Sequence, residues 1–243
     1  MAFDNNNLQI EDSGLFNTMV NIFVSPMEAF ASIEKQPAIL FPLILILLGN
    51  IATYVWYFSV VDYPWLVDQL IERMEEMPAD QITVVRDAYA SMGNTGMMLS
   101  SIVSIVVLLV LVYSLQAGYL SMVCALAGTP YRFRQWFSLN CWVYLPGLLI
   151  VLVSMTNILL SENGQLGMYD LNSLSLNNLG FGGGKNVAIN TLLDSLSLAT
   201  FWSLGLLVAA YNTWVKSGYL TAILVVLTPH GLIYGIWAMV ALS

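Results

Sequence analysis

The chain has 243 residues, of which 58% are hydrophobic and only 9% charged. A soluble domain carries about 25% charged residues, so this is read as an integral membrane protein. The net charge of −8, with seven scattered Lys and Arg, excludes nucleic acid as a partner, because phosphate binding requires clustered cations.

Residues 1–13 are polar and acidic (Asp4, Glu11, Asp12) and lack both the basic n-region and the apolar core of a signal peptide. They are expected to be a retained, disordered tail. From Gly14 the pattern becomes helical: Phe16, Met19, Val20 and Phe23 recur on one face, with Asn17 and Asn21 between them. Ser25-Pro26-Met27-Glu28 then spells a helix start, with Ser25 as N-cap, Pro26 at the first helical position and Glu28 placed for a capping box. A second short helix runs to Pro37. The segment 14–37 abuts a membrane span, so its helices either lie in the lipid interface or pack beneath the bundle.

The first span is 38–60, 23 residues without a charge. Pro42 stands near its start, where a missing N–H costs least. Residues 61–94 are the most polar part of the chain, with seven of its fifteen acidic residues. Trp65, Leu66, Leu70, Met74 and Met77 share one helical face, and Ile82, Val85, Tyr89 and Met92 another, after a break at Pro78. This is an external amphipathic helical pair. Its acidic set (Asp68, Glu72, Glu75, Glu76, Asp80) has no EF-hand spacing and is read as a solvated face.

The 31 residues Met97 to Ala127 contain no Asp, Glu, Lys, Arg or His. At ~1.5 Å per residue a helix of that length exceeds the ~30 Å hydrocarbon core. It forms the second span, at 97–127. Ala117, Ser121 and Ala125 make a small-residue strip that serves either packing within the bundle or a homo-oligomer seam. The short basic turn 128–136 follows, with Gly128, Pro130, Arg132 and Arg134, and with Trp136 expected at headgroup level. The third span is 140–160, kinked at Pro146. Cys124 and Cys141 fall near one end of this hairpin, on the side expected to be reducing, and are read as buried apolar side chains.

Residues 161–190 are rich in Gly, Asn, Ser and Leu. Gly182-Gly183-Gly184-Lys185 is not a phosphate loop, since a Ser or Thr must follow and Asn186 does. The loop is expected to rest on the membrane surface or on a partner. The fourth span is placed at 192–213, with Asp194 at its wet end, and the fifth at 218–242. The fifth holds Gly231 and Gly235 in GxxxG spacing beside Pro229-His230. His230, the only histidine, could be a proton relay. A structural role is the favoured reading, because no acidic partner lies near it in sequence and Pro229 frees a carbonyl beside it.

Lys35, Arg132, Arg134 and Lys216 fall at one end of this arrangement, in short connections, and Arg73, Arg86 and Lys185 at the other. This predicts a cytoplasmic N-terminus and an external C-terminus. No HExxH, GxSxG or intramembrane carboxylate pair is present, so neither enzyme chemistry nor a metal or cofactor is expected.

The order of features resembles the YIP-domain (Ypt/Rab-interacting protein) family in its short bacterial form, over about residues 20–242. The matching residues are Phe23-Val24-Ser25-Pro26-Met27-Glu28-Ala29-Phe30, Pro37, Phe41-Pro42, the run Gly128 to Gln135, Pro146 and the paired terminal spans. The resemblance implies a five-span, all-α bundle without catalytic residues. Eukaryotic members bind small GTPases and one another in vesicle traffic, and bacterial relatives accompany other membrane machinery, including ABC-type exporters. The function expected is therefore a non-enzymatic inner-membrane accessory or assembly protein with integral membrane partners. The alternative is a small transporter or pore using the Pro229-His230 region.

Overall fold

The computed structural model describes residues 14–74, 78–184 and 186–242. The acidic tail 1–13, the residues Glu75, Glu76 and Met77 of the external segment, and Lys185 of the loop lie outside the described residues. The chain is an all-α multi-pass membrane protein. Five of its helical stretches are long and apolar enough to cross a bilayer.

Helix α1 (Leu15–Val24) and helix α2 (Pro26–Lys35) meet at Ser25. α2 buries Ala29, Phe30 and Ile33 inside the bundle. α1 buries Thr18 and Ile22 and sets Phe23 edge-on against Trp202, while Leu15, Phe16, Val20 and Val24 stay on the outer surface. The two readings of this segment thus divide between its helices: α2 is part of the core, and α1 offers an apolar face outward.

Helix α3 (Leu40–Val60) is the first span. Its Pro42 leaves the Ala38 carbonyl without the donor four residues on. Ser138 Oγ and Trp142 Nε1 both donate to that carbonyl, at 2.8 and 2.9 Å. Helix α4 (Tyr63–Glu72) starts where the Asp62 carboxylate accepts the Trp65 N–H. Helix α5 (Ala79–Leu126) is bent at Gly93, whose φ of 67° with ψ of 172° belongs to a region that side-chain-bearing residues avoid. Asn94 Nδ2 donates to the Phe58 carbonyl at 2.8 Å and ties the bend to the end of α3. The arm before the bend forms the external pair with α4, joined by Tyr63 Oη to the Tyr89 carbonyl and by the Arg86–Asp68 ion pair. The remainder of α5 is the second span.

The third span comprises helix α6 (Phe133–Val143), a 3-10 turn at Leu145–Gly147 and helix α7 (Leu148–Leu160). It begins seven residues earlier than the hydropathy run indicates, because Gln135 Oε1 accepts the Arg132 N–H and starts a helix inside the basic segment. Trp136 therefore turns into the protein rather than outward. It is fully buried, packed against Tyr131, Tyr211 and Trp214.

The fourth span, by contrast, begins later than expected. Helix α8 (Val187–Asp194) is separate, and helix α9 (Leu198–Val215) starts where Ser197 Oγ accepts the Thr200 N–H. Asp194 does not face water: its side chain is 8% exposed and pairs with Arg73 at 3.0 Å. Helix α10 (Tyr219–Leu242) completes the bundle.

The segment between α7 and α9 lies on its own bundle and is held by hydrogen bonds. Tyr57 Oη donates to Leu166 O, Asp62 N to Gly164 O, Ser154 Oγ to Leu171 O and Asn157 Nδ2 to Asp170 O. Ser175 and Ser197 form an isolated bridge, and Asn186 Nδ2 reaches the Ala241 carbonyl of α10. The asparagines that make this sequence look like a loose loop are its fastenings.

Two apolar clusters result. The larger, around Trp136, Trp142, Leu207 and Phe30, fills the basic end and the middle of the bundle. The smaller, around Tyr57, Phe58, Leu66, Ile158 and Leu171, lies at the acidic end beneath the segment 161–197 between α7 and α9, which forms a cap on the bundle.

Candidate functional site

The residues singled out from sequence fall in three places. At the basic end, Ser25 is the single residue between α1 and α2, following the last residue of one and preceding the first of the other. Its ψ of 65° falls short of the extended value a capping serine uses, and its hydroxyl makes no cap bond. The expected capping box is absent. The Ser25 carbonyl instead accepts the Glu28 N–H at 3.0 Å, and the Glu28 carboxylate receives Asn21 Nδ2 at 3.4 Å. Pro26 does occupy the first turn.

Gly128, at φ 71°, ends α5 in the left-handed conformation that lets Thr129 N return to Cys124 O at 2.9 Å. Pro130, Arg132 and Arg134 are exposed, as are Lys35 and Lys216, and none of these cations enters an ion pair among the described residues. Tyr131 turns inward. It stacks on Trp214, and its hydroxyl donates to Glu34 at 2.6 Å. Burial first, and then that carboxylate, push the Tyr131 hydroxyl well above its usual pKa.

At mid-depth, Pro146 sits in the turn that separates α6 from α7. Beside it is a polar group that no motif search would report. Tyr144 stacks on Tyr113 with ring centroids 4.9 Å apart and donates to Gln116 Oε1 at 3.1 Å, while Asn140 Nδ2 donates to the Tyr113 carbonyl. Gln116 Nε2 and Asn140 Oδ1 are buried without a partner. Isolated amides inside apolar runs were the available signal, and a search restricted to ionisable groups passes over them. Cys124 and Cys141 are free thiols buried in the same core.

The third place is α10. Pro229 frees the Val225 carbonyl, and Tyr119 Oη of α5 donates to it at 3.0 Å. His230 Nδ1 lies 3.3 Å from the Val226 carbonyl of its own helix. Among the described residues no three His, Cys, Asp or Glu side chains come together. Gly231 and Gly235 pack on no other helix: a Cβ built on either would meet no atom within 4 Å outside the backbone of its own helix. The small-residue notch of α10 therefore faces away from the bundle. The strip on α5 is divided, with Ala117 buried inside the chain and Ala125 exposed.

A family model described as the Yip1 domain matches residues 20–242. No curated protein and no solved structure matches the chain.

Proposed function

The chain belongs to the Yip1-domain family, and on that premise we propose that it is a non-enzymatic accessory or assembly protein of a bacterial inner membrane. In this reading it binds another integral membrane complex, with components of ABC-type exporters the first class to test. The distribution of cations supports a cytoplasmic N-terminus and a periplasmic C-terminus.

The observation that carries the proposal is the outward notch of α10. GxxxG spacing lets two helix backbones approach closely in lipid, where apolar burial alone gives no drive to associate. Here Gly231 and Gly235 stand free, flanked by exposed Leu232 and Ile236. Second contacts are available outside the membrane, where Val84 of the α5 arm and Phe181 of the cap are each 68% exposed. Transport through the Pro229-His230 region draws less support, because Tyr119 already satisfies the carbonyl that Pro229 frees and His230 bonds to its own helix.

The test is affinity purification of the tagged protein from native membranes in mild detergent, with mass spectrometry of what accompanies it. A stoichiometric membrane partner is expected, reduced about tenfold by Gly231→Leu with Gly235→Leu, the equivalent of roughly 1.4 kcal/mol of helix packing. A Cβ at either position meets no atom outside the backbone of its own helix, so the variant should remain folded. Recovery of the protein alone, or a partner indifferent to the substitutions, would overturn the proposal. Recovery of only a second copy would make the notch a homo-oligomer seam.

A further inference from the structure

The seven Lys and Arg are scattered along the chain, but the fold gathers four of them at one end. Tyr131 is where they converge. Its hydroxyl donates to Glu34, the neighbour of Lys35, and its ring stacks on Trp214, two residues before Lys216. Arg132 follows Tyr131 directly, and Arg134 lies in the first turn of α6. The end of α2 and the connections 127–132 and 216–218 are thereby drawn around one side chain.

Cations are used differently at the two ends. At the acidic end Arg73 pairs with Asp194 and Arg86 with Asp68. At the basic end Lys35, Arg132, Arg134 and Lys216 are all exposed, and none enters an ion pair among the described residues. The two described acids of this end are engaged elsewhere, Glu34 by the Tyr131 hydroxyl and Glu28 by Asn21 Nδ2. Lys216 also holds a conformation that lysine avoids. It ends α9 at φ 53° and ψ 37°, the left-handed region in which a helix end ordinarily takes glycine. A cation is kept there at a cost to the backbone.

What faces these cations follows from the apolar side chains beside them. Leu126 closes α5, Phe133 opens α6, and Tyr219 and Leu220 open α10. All four are exposed, and all belong to membrane-spanning stretches. Arg132 adjoins Phe133, and Lys216 stands three residues before Tyr219, at most ~10 Å along the chain. A headgroup layer roughly 5–7 Å deep lies within reach of long basic side chains placed there.

We propose that the basic end binds the phosphate groups of anionic phospholipids, held by Lys35, Arg132, Arg134 and Lys216 around Tyr131. The site is independent of the α10 notch and does not rest on the partner reading.

The experiment uses the full chain in phosphatidylcholine nanodiscs containing a phosphatidylglycerol with a photoreactive diazirine near its head, and in parallel a phosphatidylcholine probe of the same design. On peptides covering 35–40, 126–136 and 214–220 the anionic probe should label about tenfold more than the neutral one, and the excess should fall as salt rises. Lys216→Gly removes one cation and relaxes the left-handed residue. It should lower anionic labelling about fivefold, the equivalent of ~1 kcal/mol per cation at an anionic surface, without lowering the melting temperature. A folding defect cannot produce both results. Adding Lys35→Gln, Arg132→Gln and Arg134→Gln should bring the two probes level. Equal labelling by both probes in the unaltered chain, or an anionic excess that survives all four substitutions, would overturn the assignment. So would displacement of the label by inorganic phosphate at constant ionic strength, which would indicate a free-phosphate site. An excess seen only after residues 1–13 are removed would give the cations to the acids of that tail, and would overturn it as well.

Discussion

The two ends of this bundle are closed by different chemistry. At the basic end four aromatic side chains, Tyr131, Trp136, Tyr211 and Trp214, pack ring on ring, and the Trp214 indole donates to the Phe30 carbonyl at 3.2 Å. At the acidic end the work falls to hydrogen-bonding side chains, the Tyr57 hydroxyl and small Ser and Asn groups, which bind backbone carbonyls across the cap and join it to α3 and α7. An aromatic closure relies on area and shape, which tolerate small displacements. A hydrogen-bonded one relies on many directional contacts of modest net value, each costly to leave unmade. The basic end should therefore behave as one cooperative block and the acidic end as a cap that loosens piecewise.

Trp136→Ala is the most severe way to break that contrast. The side chain is fully buried and touches three aromatic neighbours, so truncation should cost about 3–5 kcal/mol. Thermal unfolding in detergent should show one transition displaced as a whole, with α2, α6 and α9 losing protection from hydrogen exchange together. Loss confined to the 128–136 segment would mean that the aromatic cluster is not a cooperative unit.

Asp194→Ala sharpens the contrast from the other end. Asp194 accepts from Arg73 at 3.0 Å and from Asn177 at 2.8 Å, and the Arg73 guanidinium lies 3.8 Å above the Tyr169 ring. Because the Arg73 side chain is 34% exposed, the loss is that of a partly screened pair, about 2 kcal/mol. Exchange should accelerate across residues 168–194 and leave the basic end unchanged. If α6 and α9 also loosen, the two ends are coupled and the cap is not a separate layer.

The difference between the ends also decides what could be read from the sequence. The spans were legible because an uncharged run such as 97–127 is a local property, and so was the break at Ser25-Pro26. The position of Trp136 was not, since it depends on Gln135 starting a helix seven residues before the apolar run does. The attachment of the cap to its own bundle was not legible for a related reason. Glycine and asparagine are the residues of loose connections, and nothing local says that the Leu166 carbonyl will receive Tyr57 or that Arg73 will find Asp194, 121 residues away. The notch on α10 was visible as spacing, but that it faces outward follows only from the packing of the other helices.

The mildest test concerns a place where the aromatic end borrows the chemistry of the other. Tyr131 stacks on Trp214 yet also donates to Glu34 at 2.6 Å. Tyr131→Phe keeps the stack and removes the hydrogen bond, so near neutral pH it should cost only about 1 kcal/mol. The pH dependence follows from the raised pKa of the hydroxyl, caused by burial and then by Glu34. An unfolded tyrosine titrates near pH 10 and the folded one higher, so the folded protein holds the proton more tightly. The stabilisation is then complete below about pH 10 and is lost as pH rises through the folded value. The gap in melting temperature between wild type and Tyr131→Phe should stay constant from pH 7 to 9 and narrow above pH 10. A gap that persists unchanged to pH 11 would mean that the hydroxyl contributes through packing alone, and that the basic end is aromatic in its energetics throughout.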